Sequence, residues 1–282
     1  MPVADDPSFA AWIGRTRSDA DDVSAAAHAR FRATLDGFLA PVEAGEATPG
    51  FHWCLAPECA PPSALGVDGH PAKGTFLPPV ELPRRMWAGG VLELLLPLRL
   101  GERVERRTRI GGISRKAGAS GALVFVTLHH DLVTPRGLAI REQQDIVYRG
   151  AQAPGRPAAA PAAPPLEEGG AVADFAPDPV LLFRYSALTF NAHRIHYDLA
   201  YATAEEGHAG LVVHGPLQAT VLLNAATRAG GRMPQRFVYR GLAPFTAGRS
   251  GSVRARPEDG GDLAVWIADE AGRRTMEARA SW

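Results

Sequence analysis

The sequence predicts an α+β protein of two similar halves, each an antiparallel sheet wrapped around a helix. Three observations carry this prediction. A segment that cannot join a packed layer divides the chain, and each half ends in two β-rich runs joined by a turn. One helix in the second half is also apolar on most sides, as a helix enclosed by a sheet must be.

The dividing segment, 151–170, reads AQAPGRPAAAPAAPPLEEGG, with five prolines, seven alanines and almost no large apolar side chain. Such a segment buries no face and is stiffened by proline, so it is expected to be a linker. It separates an N-terminal domain, 1–150, from a C-terminal domain, 171–282. In the first half a helix is expected to open at Ser18, with Asp21 as capping-box partner. Val23, Ala27, Phe31, Leu35 and Phe38 then recur on one helical face. Strands are expected at 92–100, 104–110, 122–131 and 138–148, with Thr134-Pro135-Arg136-Gly137 turning the last pair. Residues 50–83 are too rich in Pro and Gly to give this half a clean central helix, so that helix is expected to be lost or reshaped. In the second half Gly215-Pro216 opens a helix that runs through Leu217, Thr220, Val221, Leu222 and Ala225 to Gly230-Gly231. Strands at 236–242, 250–256, 262–268 and 274–282 follow, the last two joined by a turn at Asp269-Glu270-Ala271-Gly272.

The composition narrows the function. Basic and acidic residues both number 30, so the formal net charge is zero, and a nucleic-acid binder would carry a basic excess. No apolar run reaches the roughly 18 residues of a membrane span. The first residues carry Asp5 and Asp6 and lack the pattern of a signal peptide. Cys54 and Cys59 are too few for a disulfide framework or a four-ligand zinc site. A cytoplasmic location, no membrane and no nucleic-acid partner are therefore expected.

The chemistry gathers around the histidines. Of nine, four fall between positions 193 and 214. Asp198 is suited to cap a short helix starting at Leu199, which leaves His196 at the entry to that helix, where a side chain can face a cleft. Gly215 stands at the N-terminus of the buried helix, where free N–H groups favour negative charge and glycine admits a close ligand. A base beside such a site is what proton transfer next to a thioester carbonyl requires. Asn191 could equally be a backbone cap, and His193 and His214 could be packing residues. His193, His196 and Asp198 lack the companion cluster of a metal site. Arg84 and Arg85, followed by Trp87, suit a phosphate or a carboxylate, or else a solvated face.

TFNAHRIHYD at 189–198 and the His-Gly at 214–215 resemble the signature of the MaoC-like, or hydratase 2, branch of hot-dog proteins. FLPPVELPRRMWAGG, REQQDIVYR and GLVVHGPLQA are similar to stretches of its fused two-domain members, the mesaconyl-CoA hydratase and 3-hydroxyacyl-thioester dehydratase type. The resemblance covers most of the chain. It implies a tandem (double) hot-dog fold with no cofactor and a CoA thioester as substrate. It also implies reversible hydration of an enoyl thioester, with a branched C5 diacid preferred. His196 matches the catalytic histidine and Gly215 the glycine whose N–H meets the thioester oxygen. Asn191 stands where the family's aspartate does, and Phe190, His193 and Arg194 replace the usual Gly, Asn and Pro. Arg84, Arg85, Trp87, His193, Arg194 and His214 are the expected substrate-binding residues. The first half is expected to be a non-catalytic partner that widens the acyl pocket. Whether two fused chains pair as a homodimer is left open. Rival readings are a fatty-acyl dehydratase, a non-catalytic acyl-CoA binder and a hot-dog thioesterase. The last is disfavoured because no carboxylate lies between 210 and 225.

Overall fold

In the computed structural model the described residues are 6–118, 121–151 and 170–282. The expected linker, 151–170, lies almost wholly outside them. The first half contributes strands β1 (Thr16–Asp22), β2 (Arg84–Leu94), β3 (Arg103–Gly118), β4 (Gly121–Thr134) and β5 (Gly137–Arg149), with helix α1 (Ala25–Thr34). The second contributes β6 (Gly170–Phe175), helix α2 (Pro179–Thr189), helix α3 (Gly215–Gly230) and strands β7 (Arg236–Gly241), β8 (Gly251–Pro257), β9 (Leu263–Asp269) and β10 (Arg274–Ser281).

The strands join in one antiparallel sheet ordered β1-β3-β4-β5-β2-β7-β10-β9-β8-β6. The two half-sheets meet at β2 and β7, where Gly90 pairs with Tyr239 and Leu92 with Phe237. No helix among the described residues is long and apolar enough to cross a membrane.

In the second half α3 and β7 to β10 lie where the sequence places them, while β6 and α2 stand outside the expected plan. α3 starts at Gly215 with proline in its first turn and ends at Gly231, left-handed at φ 69°. Leu217, Leu222 and Leu223 are fully buried, each stabilising the fold by about 1.5–3 kcal/mol. Asn224 ties the helix to the first half. Its side chain accepts from the Ala40 N–H at 3.0 Å and donates to the Pro49 carbonyl at 2.8 Å.

The first half differs in two places. Residues 16–22 form β1, pairing from Thr16↔Arg109 to Asp22↔Arg103, so Ser18 is in a strand and does not cap a helix. The cap is Ser24, whose side chain accepts from the Ala27 N–H at 3.3 Å. Phe31 still faces the core, because the apolar spacing belongs to the helix that follows. The strand expected at 92–100 instead spans Arg84–Leu94. The leucine-rich end, broken by Pro97, lies beyond the ladder. No described helix fills the first half-sheet. Leu77 and Val80, from the Pro- and Gly-rich segment, pack there against Ile110, Ile113, Val126 and Tyr148.

A buried polar knot marks the same face. Glu142 is fully buried and accepts from Trp53 Nε1 and from the Tyr239 hydroxyl, each at 2.9 Å. Arg106 stands 3.6 Å from its other oxygen.

Candidate active site

The histidine-rich segment is shaped by a sequence of turns. Phe190 ends α2 in the left-handed conformation, φ 50°. The Asn191 side chain then accepts from the His193 N–H at 2.9 Å, an Asx turn. Arg194–His196 makes one 3-10 turn. Asp198 accepts from the Tyr201 N–H at 3.0 Å and so caps the next helical turn, as expected.

These turns bury His196 against the entrance of α3. Its Nδ1 lies 2.7 Å from the Val212 carbonyl oxygen. A carbonyl can only accept, so Nδ1 carries the proton and Nε2 keeps its lone pair. The ring stacks on His214, centroids 3.6 Å apart, and meets His193 at a right angle, 5.4 Å away. His214 is fully buried, with Nε2 2.8 Å from Ser186 Oγ. Burial, then the neighbouring His214 and His193, hold the His196 pKa well below its ordinary value. Burial lowers His214 to about 3. His196 is thus a neutral base at physiological pH.

Gly215 follows directly. As the first residue of α3 its N–H has no acceptor within the helix, and the helix dipole there favours negative charge. Trp87 lies so close that a Cβ at position 215 would come within 2.5 Å of the indole Cε3. The indole stacks on Tyr239 of β7 at 4.5 Å, giving the helix entrance an aromatic wall built by both halves.

Residues 66–70 form a second first-half contribution that the sequence reading did not identify. The Arg194 N–H donates to the Asp68 carbonyl at 2.9 Å, and its guanidinium donates to the Val67 carbonyl at 3.1 Å. Gly69 sits at φ 85°, and a Cβ there would run into the Ala192 carbonyl oxygen. The loop carries Asp68, whose carboxylate is 3.0 Å from His70 Nδ1, and it sets the His70 ring 4.1 Å from His193. Burial opposes ionisation of Asp68, but the hydrogen bonds and charge of His70 outweigh it and bring the carboxyl to about 2. Burial and Arg85 lower His70 to about 3.

Glu206 organises the other side of His193. Its carboxylate is 3.6 Å from His193 Nε2, 3.7 Å from His208 Nε2 and 3.9 Å from Arg84 Nε. Burial resists its ionisation, yet the bonds from His193 and His208 prevail and hold it below the usual carboxylate range.

The structure therefore sorts the expected residues. His196, His214, Gly215, His193 and Trp87 converge. Asn191 adjoins them in its turn. Arg84 is turned to Glu206 and the Glu205 carbonyl, and Arg194 to Asp198 at 2.8 Å. Arg85 pairs with no carboxylate among the described residues and acts electrostatically on Asp68 and His70. Asp68 and His70 escape the sequence reading because they lie far from the motif, and Glu206 because, between the two motif segments, it carries no spacing signal. Asp68, His70 and His193 bring ligand atoms within 4.8 Å of one another. Asp68 and His70 are already bonded together and lie under the charge of Arg85, which disfavours a cation.

Comparison with known proteins identifies the family and the fold. Residues 50–247 match the model of the hydroxyacyl-thioester dehydratase type 2 family. The chain is 45% identical to the mesaconyl-C(4)-CoA hydratase of Chloroflexus aurantiacus, over 83% of this chain and 84% of that one. It is 29% identical to the mitochondrial hydroxyacyl-thioester dehydratase type 2 of Schizosaccharomyces pombe, over 79% and 84% of the two chains. A MaoC-like dehydratase from Phytophthora capsici superposes with TM-score 0.69 at 16% identity, over 95% of this chain and 94% of that one. A Mycobacterium tuberculosis protein with a double hot-dog fold gives 0.57 at 14% identity, over 95% of each chain. These last two likenesses are of fold. The chain has the double hot-dog fold and belongs to the hydroxyacyl-thioester dehydratase type 2 family.

Proposed function

We propose that this protein reversibly hydrates a 2-enoyl-CoA to the 3-hydroxyacyl-CoA, with a branched C5 dicarboxylic thioester of the mesaconyl type as its preferred substrate. The observation that carries the reading is the neutral His196, its Nε2 lone pair uncommitted, beside the N-terminus of α3 at Gly215. In the hydration direction His196 Nε2 takes a proton from water as the oxygen bonds to Cβ. The π electrons of the double bond move to the carbonyl, and the enolate oxygen is held by the Gly215 N–H. His196 then returns the proton to Cα, so one C–O and one C–H bond replace the π bond. Dehydration runs the same steps backwards. The thioester itself acidifies Cα, so these residues suffice for the proton transfers.

Asn191 cannot accept a proton. Its oxygen is used by the His193 N–H, which leaves the amide nitrogen to hold the water or hydroxyl oxygen. Glu206, beside His193 and one ring away from His196, is the negative group that offsets the positive charge on His196 during turnover. In this reading residues 171–282 are the catalytic domain. Residues 1–150 close the pocket through β2 and the 66–70 loop, and 151–170 joins the two.

The C5 preference rests on the 45% identical hydratase named for mesaconyl-C(4)-CoA and on Arg85, a cation with no carboxylate partner among the described residues. Purified protein is expected to remove the conjugated-enoyl absorbance of mesaconyl-CoA faster than that of crotonyl-CoA or a long-chain 2-enoyl-CoA. Faster loss with the long chain would favour a fatty-acyl dehydratase. Binding of every thioester without turnover would refute catalysis.

A further inference from the structure

Arg85 and Tyr148 are direct partners across β2 and β5, and Trp87 pairs with Ile146 two residues along the same strand. Arg85, Trp87 and Tyr148 therefore share one face of the sheet. This is the face that carries the aromatic wall beside Gly215. The Tyr148 hydroxyl is fully buried, with no hydrogen bond of good geometry among the described residues, and Arg85 is the donor near enough to act on it; a hydroxyl so placed is short of a partner.

The charges around it are unbalanced. Lys73 Nζ lies 5.7 Å from the Tyr148 ring, and Lys73, Arg85 and Asp68 act on one another electrostatically. Asp68 is bonded to His70, and Glu58, which also bears on Tyr148, is paired with Arg17 at 2.8 Å. Lys73 donates to the Val80 and Leu82 carbonyls, which leave its charge in place, so two cations and one committed carboxylate give a net positive charge beside this hydroxyl. His70, on which Arg85 also acts, touches His193, so the group adjoins the histidine cluster.

We propose that Arg85 and the hydroxyl of Tyr148 bind the free carboxylate of the acyl group and thereby set the preference for dicarboxylic over simple enoyl thioesters. The inference rests on the hydratase reading above. With the thioester oxygen at Gly215 beside Trp87, a carboxylate on Cβ is three carbon–carbon bonds away. Arg85 stands two strand residues from Trp87, about 7 Å, which is a matching reach. The guanidinium supplies charge and the phenol a directed donor. A substrate lacking the carboxylate leaves both unmet, and such sites discriminate strongly.

The test is the ratio of kcat/KM for mesaconyl-CoA to that for crotonyl-CoA, measured for wild type, Tyr148→Phe and Arg85→Met. Tyr148→Phe is expected to lower the ratio by about tenfold to a hundredfold, and Arg85→Met by more. The thermal midpoint of Tyr148→Phe should change little, because the hydroxyl has no hydrogen bond of good geometry among the described residues. An unchanged ratio, or equal losses on both substrates with a lowered midpoint, would overturn the inference while leaving the hydratase reading intact. Wild type that hydrates neither thioester would overturn the reading and the inference with it.

Discussion

The imidazole of His214 lies flat against that of His196, with centroids 3.6 Å and planes 19° apart. His214 is itself fixed by Ser186 and by complete burial, so it forms a rigid wall that sets the direction of His196 Nε2. Replacing it with alanine should free the ring to tilt. Steady-state hydration by His214→Ala is expected to show kcat down about tenfold to a hundredfold with KM little altered. His214→Phe, which restores a flat ring, should recover part of the loss. A normal kcat for the alanine variant would remove this positioning role.

Several histidines are buried in their neutral form. Burial brings His52 and His214 to about 3 and holds His130 and His196 well below the ordinary value. Unfolding returns each to about 6.5, so below that pH the unfolded chain binds protons that the folded chain refuses. Stability is then complete above about pH 7 and is lost as pH falls through 6.5 toward the folded-state values. Each group adds a slope of up to about 1.4 kcal/mol per pH unit in that window. Asp68, lowered from 3.8 to about 2, adds a further loss as pH falls between those values. Thermal midpoints from pH 8 to pH 4 should drop steeply below 6.5, and a flat profile would contradict the buried neutral state.

Gly69 holds the first-half loop against the turn at Ala192. Gly69→Ala forces a Cβ toward the Ala192 carbonyl at a positive φ, displacing either the loop or the turn that carries His193. The expected result is a fold-wide loss of about 1–3 kcal/mol, together with reduced turnover, read by denaturant unfolding and the hydration assay. Unchanged activity and stability would show that the contact yields easily.

Glu142 is the anion of the buried knot beside Trp53, Tyr239 and Arg106. Glu142→Ala leaves Arg106 buried without its counter-ion and is expected to cost about 3–5 kcal/mol. Replacing both residues with leucine should recover much of that. Equilibrium unfolding of the single and double variants checks this, and equal stabilities for the two would remove the ion-pair account.

The legible parts of the sequence were those with a strong local signal. Gly215-Pro216 marked the start of α3, the β4–β5 turn was spelled by Thr134 to Gly137, and Asp198 announced the cap after His196. β1 was read as helix because its residues, TRSDADD, are polar on both faces, so no alternation was visible. The apolar residues after it lent it a helical rhythm. The site's first-half members were hidden for another reason. Asp68, His70, Arg85 and Tyr148 come together only through the β2–β5 register and the packing of the 66–70 loop, which no short window contains. Arg84 and Arg85 looked equivalent in sequence, and the fold separates them by turning Arg84 to Glu206.

The most direct test of the central claim is hydration of mesaconyl-CoA by wild type and by His196→Ala at matched folded concentrations, following the enoyl absorbance. The account predicts turnover by wild type and a loss of about a hundredfold to ten-thousandfold in the variant, with an unchanged fold. Equal rates for the two proteins would contradict His196 as the base and, with it, the proposed mechanism.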